Sequence, residues 1–339
     1  MKQAMVTGLR EASVIEVPEP VPKENWVKVK VLAAPLNTDA GDGGEGNGLG
    51  GQNHSGAGEV VEVAQPCRVR PGDRVVVQPG LACGRCEWCL SGHFIHCPNG
   101  VDFEAFTGSA SGGVALAHYL LKPDWLLLPI PEDIPYELAV LAVGGVGPSF
   151  AACEAMAIGA FETVLVIGLG PVGLGGVVNA VFRGARVVAV ESNPYRARLA
   201  QELGAEMVWN PAERECLEAI REMTEGRGVD ACLECSGTPE GQSLCGEAAR
   251  IQGQIAFVCR SISPSILLAI SRDLRRKGLR LHGIWHYPIP AFPRVLQVIR
   301  DSPVIGKMIT HLFSLDEIPK ALETQAGGQC GQILVRPWD

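Results

Sequence analysis

The chain has no apolar run near the roughly 18 residues that a bilayer span requires. Its opening, MKQAMVTGLREASVIEV, lacks the apolar centre of a secretory leader. It also has no basic stretch, and acidic residues outnumber basic ones 37 to 29, for a formal net charge of −8. These absences lead to the expectation of no membrane span, no export signal and no nucleic-acid partner. The expectation is a cytoplasmic protein whose partner is a small molecule. Charged residues are sparse at 19%, against 47% hydrophobic, so a sizeable core can form. A length of 339 residues exceeds one ordinary core and calls for two domains.

What is present changes character along the chain. NWVKVKVLAA (25–34), GEVVEVA (58–64) and DRVVVQP (73–79) are short β-branched runs between Pro and Gly signals, so the first 150 residues read as β-rich. Then TVLVIGLG (163–170) reads as a buried strand and PVGLGGVVNAVFRGA (171–185) as a helix. RVVAVES (186–192) is a second strand and YRARLAQELGA (195–205) a second helix. The alternation continues through EMVWN, a helix near 213–225, VDACLECSG (229–237) and GQIAFVC (253–259). Such alternation builds right-handed βαβ units around a doubly wound parallel sheet, an α/β fold. PAFPRVLQVIRD, from about residue 290, reads as a helix, and ITHLFSLDEIPKALETQAGG leads to a last strand, QILVRP. GDGGEGNGLGGQ (41–52) is the most glycine-dense stretch and reads as a loop.

Two motifs carry chemistry. GLGPVG (168–173) has G-x-G-x-x-G spacing between a strand and a helix, with Glu191 ending the next strand. Gly168 permits the turn, Gly170 lets a pyrophosphate approach, and Gly173 lets helix and strand pack. Gly170, Pro171, Val172 and Gly173 open the helix whose amide dipoles face the phosphates. A carboxylate at Glu191 accepts from both ribose hydroxyls and repels a 2′-phosphate, which favours NAD over NADP; Arg196 nearby pulls the other way. The second motif is CGRCEWC plus Cys97. Cys83, Cys86, Cys89 and Cys97 can enclose one tetrahedral zinc with no position left for substrate. His93 and His96 lie inside that loop as spare donors. Cys232 and Cys235, also spaced C-x-x-C, fall on an apolar strand and read as core.

With GEVVEV, RPGDRVVVQP, the four-cysteine lobe, VLVIGLGPVGL, VDACLECSG and ITHLFSLDEIPKAL together, the chain resembles the medium-chain dehydrogenase/reductase superfamily, on its zinc alcohol dehydrogenase side, over nearly its full length. The resemblance implies a GroES-like catalytic domain (1–150, zinc lobe about 80–100), a Rossmann NAD-binding domain (151–289) and a C-terminal return to the first domain (290–339). It implies hydride transfer to or from nicotinamide, and a homodimer or homotetramer. It also places His54 on a catalytic zinc ligand. The family's first ligand, a cysteine, is replaced here by Leu36, two residues before the matching pair Thr38–Asp39, and its third ligand falls at Gly144. Neither leucine nor glycine can bind zinc through a side chain. Asp39, Asp42, Glu45 and Glu104 are the carboxylates near enough in sequence to rebuild such a site.

The expectation is therefore structural zinc without catalytic zinc. Thr38 passes the proton, and His54, oriented by Asp39, donates to the substrate oxygen in place of the metal. His118, His286 and His311 are weaker histidines; His311 falls in a helix-entry stretch. By family analogy the substrate is a small carbonyl, enone or imine. Two other readings stand beside this one: a zinc-dependent alcohol or polyol dehydrogenase with rearranged ligands, and a dinucleotide-binding protein without turnover.

Overall fold

The computed structural model describes residues 1–8, 11–36, 54–213, 215–263 and 269–339. Fifteen strands among the described residues follow the β-branched runs of the sequence. They are β1 (Lys2–Gly8), β2 (Glu11–Glu16), β3 (Trp26–Pro35), β4 (Gly56–Val63), β5 (Arg74–Val77), β6 (Tyr119–Pro123) and β7 (Leu127–Pro129). Then come β8 (Thr163–Ile167), β9 (Arg186–Val190), β10 (Met207–Trp209), β11 (Val229–Glu234), β12 (Ala249–Phe257) and β13 (Arg280–Gly283). Last are β14 (Ile309–Ser314) and β15 (Gln332–Arg336). No single helix among the described residues is long and apolar enough to cross a membrane.

The chain divides into two compact units. The first holds Met1–Gly144, Pro288–Ile299 and Ile309–Asp339. Its sheet runs β14-β15-β3-β4-β5-β7, with β6 also pairing β3. Alternate residues Val27, Val29 and Val31 of β3 point one way and bury completely beside Val60, Val75 and Val77. Period-2 alternation of this kind is what a half-buried antiparallel sheet requires. Ala33 pairs with Ala57, so the segment leaving β3 at Leu36 and the segment entering β4 at His54 meet at one end of the strand pair. β15 pairs antiparallel with the same end of β3, Leu334 opposite Pro35.

The second unit holds Gly145–Tyr287 and Arg300–Met308. Its parallel sheet has the order β10-β9-β8-β11-β12-β13. β8 is buried at every position, as a strand covered by helices on both faces must be. The chain winds outward from β8 in both directions, so the strand order reverses between β8 and β11, the place where such sheets bind dinucleotides.

Two boundaries differ from those expected of the sequence. A break at residue 150 falls inside the helix Val146–Ala155. That helix is tied to its neighbour by Asn179, whose Nδ2 donates to the Val146 carbonyl and to Ser149 Oγ, so the break lies at Gly144–Gly145. Arg300–Met308 also returns to the second unit rather than staying with the C-terminal segment. His311 lies in strand β14, ahead of the helix Ile318–Ala326.

Candidate functional site

The dinucleotide half is built by the turn after β8. Gly168 has φ +82°, and a Cβ there would stand 2.6 Å from Ser236 Cα. A Cβ on Gly173 would collide with the Gly168 carbonyl, so the helix Pro171–Phe182 can lie against the turn only with glycine at that position. A Cβ on Gly170, by contrast, would meet nothing within 4 Å. That open face lies at the N-cap, with Pro171 the first helical residue and Val172 next to it. An anionic diphosphate fits there, against amides that have no partner within the helix.

Glu191 follows β9 and is buried. Its carboxylate accepts from the Leu169 amide (2.6 Å) and from the Asn193 amide (2.8 Å). It thus ties the glycine turn to the loop beyond β9. Arg196 lies in the first turn of the next helix, Pro194–Glu202, where its amide donates to the Asn193 side chain. On the far side of the turn, Glu234 is fully buried and accepts from the Ser236 amide and hydroxyl (2.9 and 2.5 Å) and from the Gly237 amide. Burial raises its pKa. Motif spacing does not reveal this support. Cys232 and Cys235 are both buried, Cys232 against Cys245 and Cys235 beside Gly173.

The His54 half has a geometry the sequence did not announce. His54 is half-buried, and its Nδ1 lies 2.6 Å from the Gly113 carbonyl oxygen. A carbonyl only accepts, so Nδ1 carries the proton and Nε2 of the neutral ring is an acceptor. Burial pushes the His54 pKa down to about 4, with the Lys122 ammonium adding to the shift and the Gly113 carbonyl opposing it. This corrects the expected role: a neutral His54 with this tautomer cannot donate to a substrate oxygen through Nε2. Among the described residues its orienting partner is the Gly113 carbonyl. Asp39, Thr38, Asp42 and Glu45 lie outside the described residues; Glu104 is exposed on the helix Phe103–Thr107.

Below the His54 backbone lies a residue that sequence reasoning missed. Lys122 is 1% exposed, and its Nζ donates to the carbonyls of Gly80 (2.6 Å) and His54 (3.2 Å). Burial lowers its pKa to about 7. A lysine inside an apolar strand, YLLKP, is the one available signal, and it reads equally well as an exposed edge residue.

Leu36 is buried in the core, and its amide donates to the Ile333 carbonyl. A Cβ at Gly144 would meet Gln332 Oε1 at 2.8 Å. Among the described residues no group of three metal-binding side chains includes His54, and the one such cluster is the cysteine lobe. The donor set that zinc needs at His54 is not met by these residues. The other histidines are otherwise engaged: His118 stacks on Trp338 at 4.2 Å, His286 is packed on Tyr287, and His311 Nδ1 contacts Thr310 Oγ1.

The lobe does fit a metal. The Sγ atoms of Cys83, Cys86, Cys89 and Cys97 lie within 4.8 Å of one another, with Cys86 3.5 Å from Cys89 and 3.7 Å from Cys97. Four sulfurs at about 2.3 Å from a tetrahedral zinc stand just under 4 Å apart, so the cage is already near that size. The Cys83 amide donates to Cys97 Sγ at 3.4 Å, and backbone amides, that of Arg85 first, lower the Cys83 pKa to about 6. Phe94, Leu126 and Trp125 pack behind the cage. His93 and His96 are not part of it.

Comparison with known proteins agrees with both halves. The family model described as "Alcohol dehydrogenase GroES-like domain" matches residues 23–132, and the one described as "Zinc-binding dehydrogenase" matches residues 171–301. The chain is 31% identical over 301 residues to L-threonine 3-dehydrogenase of Symbiobacterium thermophilum, covering 84% of this chain and 80% of that one. It is 28% identical over 351 residues to sorbitol dehydrogenase of Bacillus subtilis, covering 99% and 97%. The crystal structure of 2R,3R-butanediol dehydrogenase from Bacillus subtilis superposes with TM-score 0.82 at 25% identity, covering 99% of each chain. The chain is thus an oxidoreductase and belongs to the zinc-type alcohol dehydrogenase family of medium-chain dehydrogenases.

Proposed function

We propose that this enzyme is NAD(H)-linked and moves hydride to or from a small carbonyl, enone or imine substrate, with one structural zinc in the cysteine lobe and none at His54. The observation that carries the reading is the stripped donor set: a leucine in the core, a glycine, and one imidazole whose Nδ1 is already committed to Gly113. NAD supplies or accepts the hydride when bound. Gly168, Gly170, Gly173 and Glu191 would hold it, and the buried Glu191 carboxylate disfavours a 2′-phosphate.

His54 Nε2 accepts a hydrogen bond from a substrate hydroxyl and orients it. With a pKa of about 4, roughly one imidazole in a thousand is protonated at pH 7. That makes His54 a weak proton source for a simple ketone. Enones and iminium ions suit such a site better, because they are electrophilic before they bind. Elemental analysis should give one zinc per chain, with NADH-dependent reduction of enones or imines. Two zincs per chain would overturn the metal-free site.

One observation favours a second reading. Metal-bound histidines commonly donate their other ring N–H to a carbonyl, as His54 does to Gly113. In that case two of the carboxylates Asp39, Asp42 and Glu45 complete the ligand set with His54, the zinc count is two, and alcohols or polyols are the substrates.

A further inference from the structure

Five residues of the first unit close a ring of hydrogen bonds and chain bonds around His54. The His54 Nδ1–H is held by the Gly113 carbonyl (2.6 Å). Gly113 follows Gly112, whose carbonyl accepts from the Leu121 amide (2.9 Å). Leu121 precedes Lys122 on β6, and Lys122 Nζ donates to the His54 carbonyl (3.2 Å). The imidazole and the backbone of His54 thus hang from two consecutive residues of one strand. The turn that carries the Gly113 carbonyl is itself packed on two sides. Gly112 has φ +86°, and a Cβ there would stand 2.6 Å from Pro20 Cβ; a Cβ on Gly113 would stand 3.3 Å from the Phe103 ring.

A lysine is a costly residue in that slot. Leu120 and Leu121 beside it are buried, Lys122 is buried too, and burial acts on its charge with no carboxylate to oppose it. Bonds to two neutral carbonyls, those of His54 and Gly80, offset only part of that cost. A methionine would fill the same space without it. What lysine adds is the pair of N–H bonds, and these do not depend on charge: the neutral amine still has two N–H groups for two carbonyls. We propose that Lys122 is a positioning residue, which holds the His54 carbonyl and so keeps the imidazole on Gly113, with Nε2 in one place and the ring in one tautomer. With that carbonyl released, the segment entering β4 can shift and the ring can trade Gly113 for water. This rests on the reading in which His54 Nε2 accepts from the substrate.

The test reads His54 directly and needs no turnover. Zinc-loaded protein labelled with nitrogen-15 histidine is compared with His54→Gln, in which one pair of ring signals disappears and is thereby assigned. At neutral pH the wild-type pair should be one protonated nitrogen, Nδ1, and one bare nitrogen, Nε2, with no averaging between them. In Lys122→Met the two signals should move toward each other as the tautomers exchange. The kcat for NADH-dependent reduction of cyclohex-2-enone should fall about tenfold with the KM for NADH unchanged, the effect of a misplaced orienting group. Lys122→Gln, one bond shorter and still polar, should give the same losses and serves should Lys122→Met fold poorly. A lysine that only satisfied two carbonyls would alter the melting temperature and neither of these readouts. His54 signals identical to wild type in the folded variants, or altered signals with kcat unchanged, overturn the proposal. Wild type that shows the single tautomer but reduces no carbonyl, enone or imine sinks the functional reading alone, and the signals of the variants then decide the positioning.

Discussion

At the scale of single residues, burial sets the charge of both His54 and Lys122, and Lys122 adds to the effect on His54. His54 stays neutral because burial and the nearby ammonium both oppose its protonation. The pH profile of kcat/KM should therefore show no inflection near the ordinary histidine value of 6.5; activity governed by His54 should fall only as pH drops toward 4. A break at 6.5 in wild type that disappears in His54→Gln would contradict this assignment. Lys122 titrates from an ordinary 10.5 down to about 7. Between these values the unfolded chain holds a proton that the folded chain lacks, so stability rises with pH across that window, by up to about 1.4 kcal/mol per pH unit. Lys122→Met removes the slope. Its melting temperature relative to wild type should be highest near pH 6 and should decline toward pH 9; a difference independent of pH would show that Lys122 is not buried as a cation. Neither behaviour could be read from the sequence. The partners of both side chains are backbone carbonyls, 42 to 68 residues away, and a carbonyl has no signature in the sequence.

At the scale of elements, the glycine turn was legible and its supports were not. G-x-G-x-x-G between a buried strand and a helix is a local pattern, and the structure gives each glycine a distinct reason. Gly173→Ala drives a methyl into the Gly168 carbonyl, a backbone atom that cannot swing aside. It should weaken NADH binding by about tenfold and cost about 1–3 kcal/mol of stability. Fluorescence titration and a melting curve would check both, and unchanged affinity would mean that the turn does not hold the cofactor. Glu191 should make NADH bind at least about tenfold more tightly than NADPH, since a 2′-phosphate would meet its carboxylate. Equal affinities would point to Arg196 instead. The cysteine lobe was equally local: four sulfurs within fifteen residues, closed by the short helix Glu87–Leu90 and the turn Phe94–His96. Cys97→Ser should lower zinc content toward zero and the melting temperature by about 5 °C, because metal binding there is coupled to folding of the lobe.

For the whole molecule, order along the chain and order in space part company. The first unit is assembled from three separated segments, and the second takes back Arg300–Met308 after the chain has left it. Alternating strands and helices announced the parallel sheet, because each βαβ unit is local and its handedness fixed. The seven-stranded sheet needed β15 to pair with β3 across some 300 residues, a pairing that hydrophobic patterning permits without specifying.

By itself the sequence determined the two motifs and the doubly wound sheet, since each rests on residues within one or two elements of one another. The resemblance it carries also gave the expectation that Leu36 and Gly144 stand where zinc-type relatives bind a catalytic metal. Tertiary structure alone decided what those positions hold instead. It fixed His54 Nδ1 on the Gly113 carbonyl, buried the Lys122 ammonium against the His54 backbone, and brought Gln332 from the last strand against Leu36 and Gly144. These are hydrogen bonds across long chain separations. Their energy depends on distance and burial, quantities that exist only once the chain has folded.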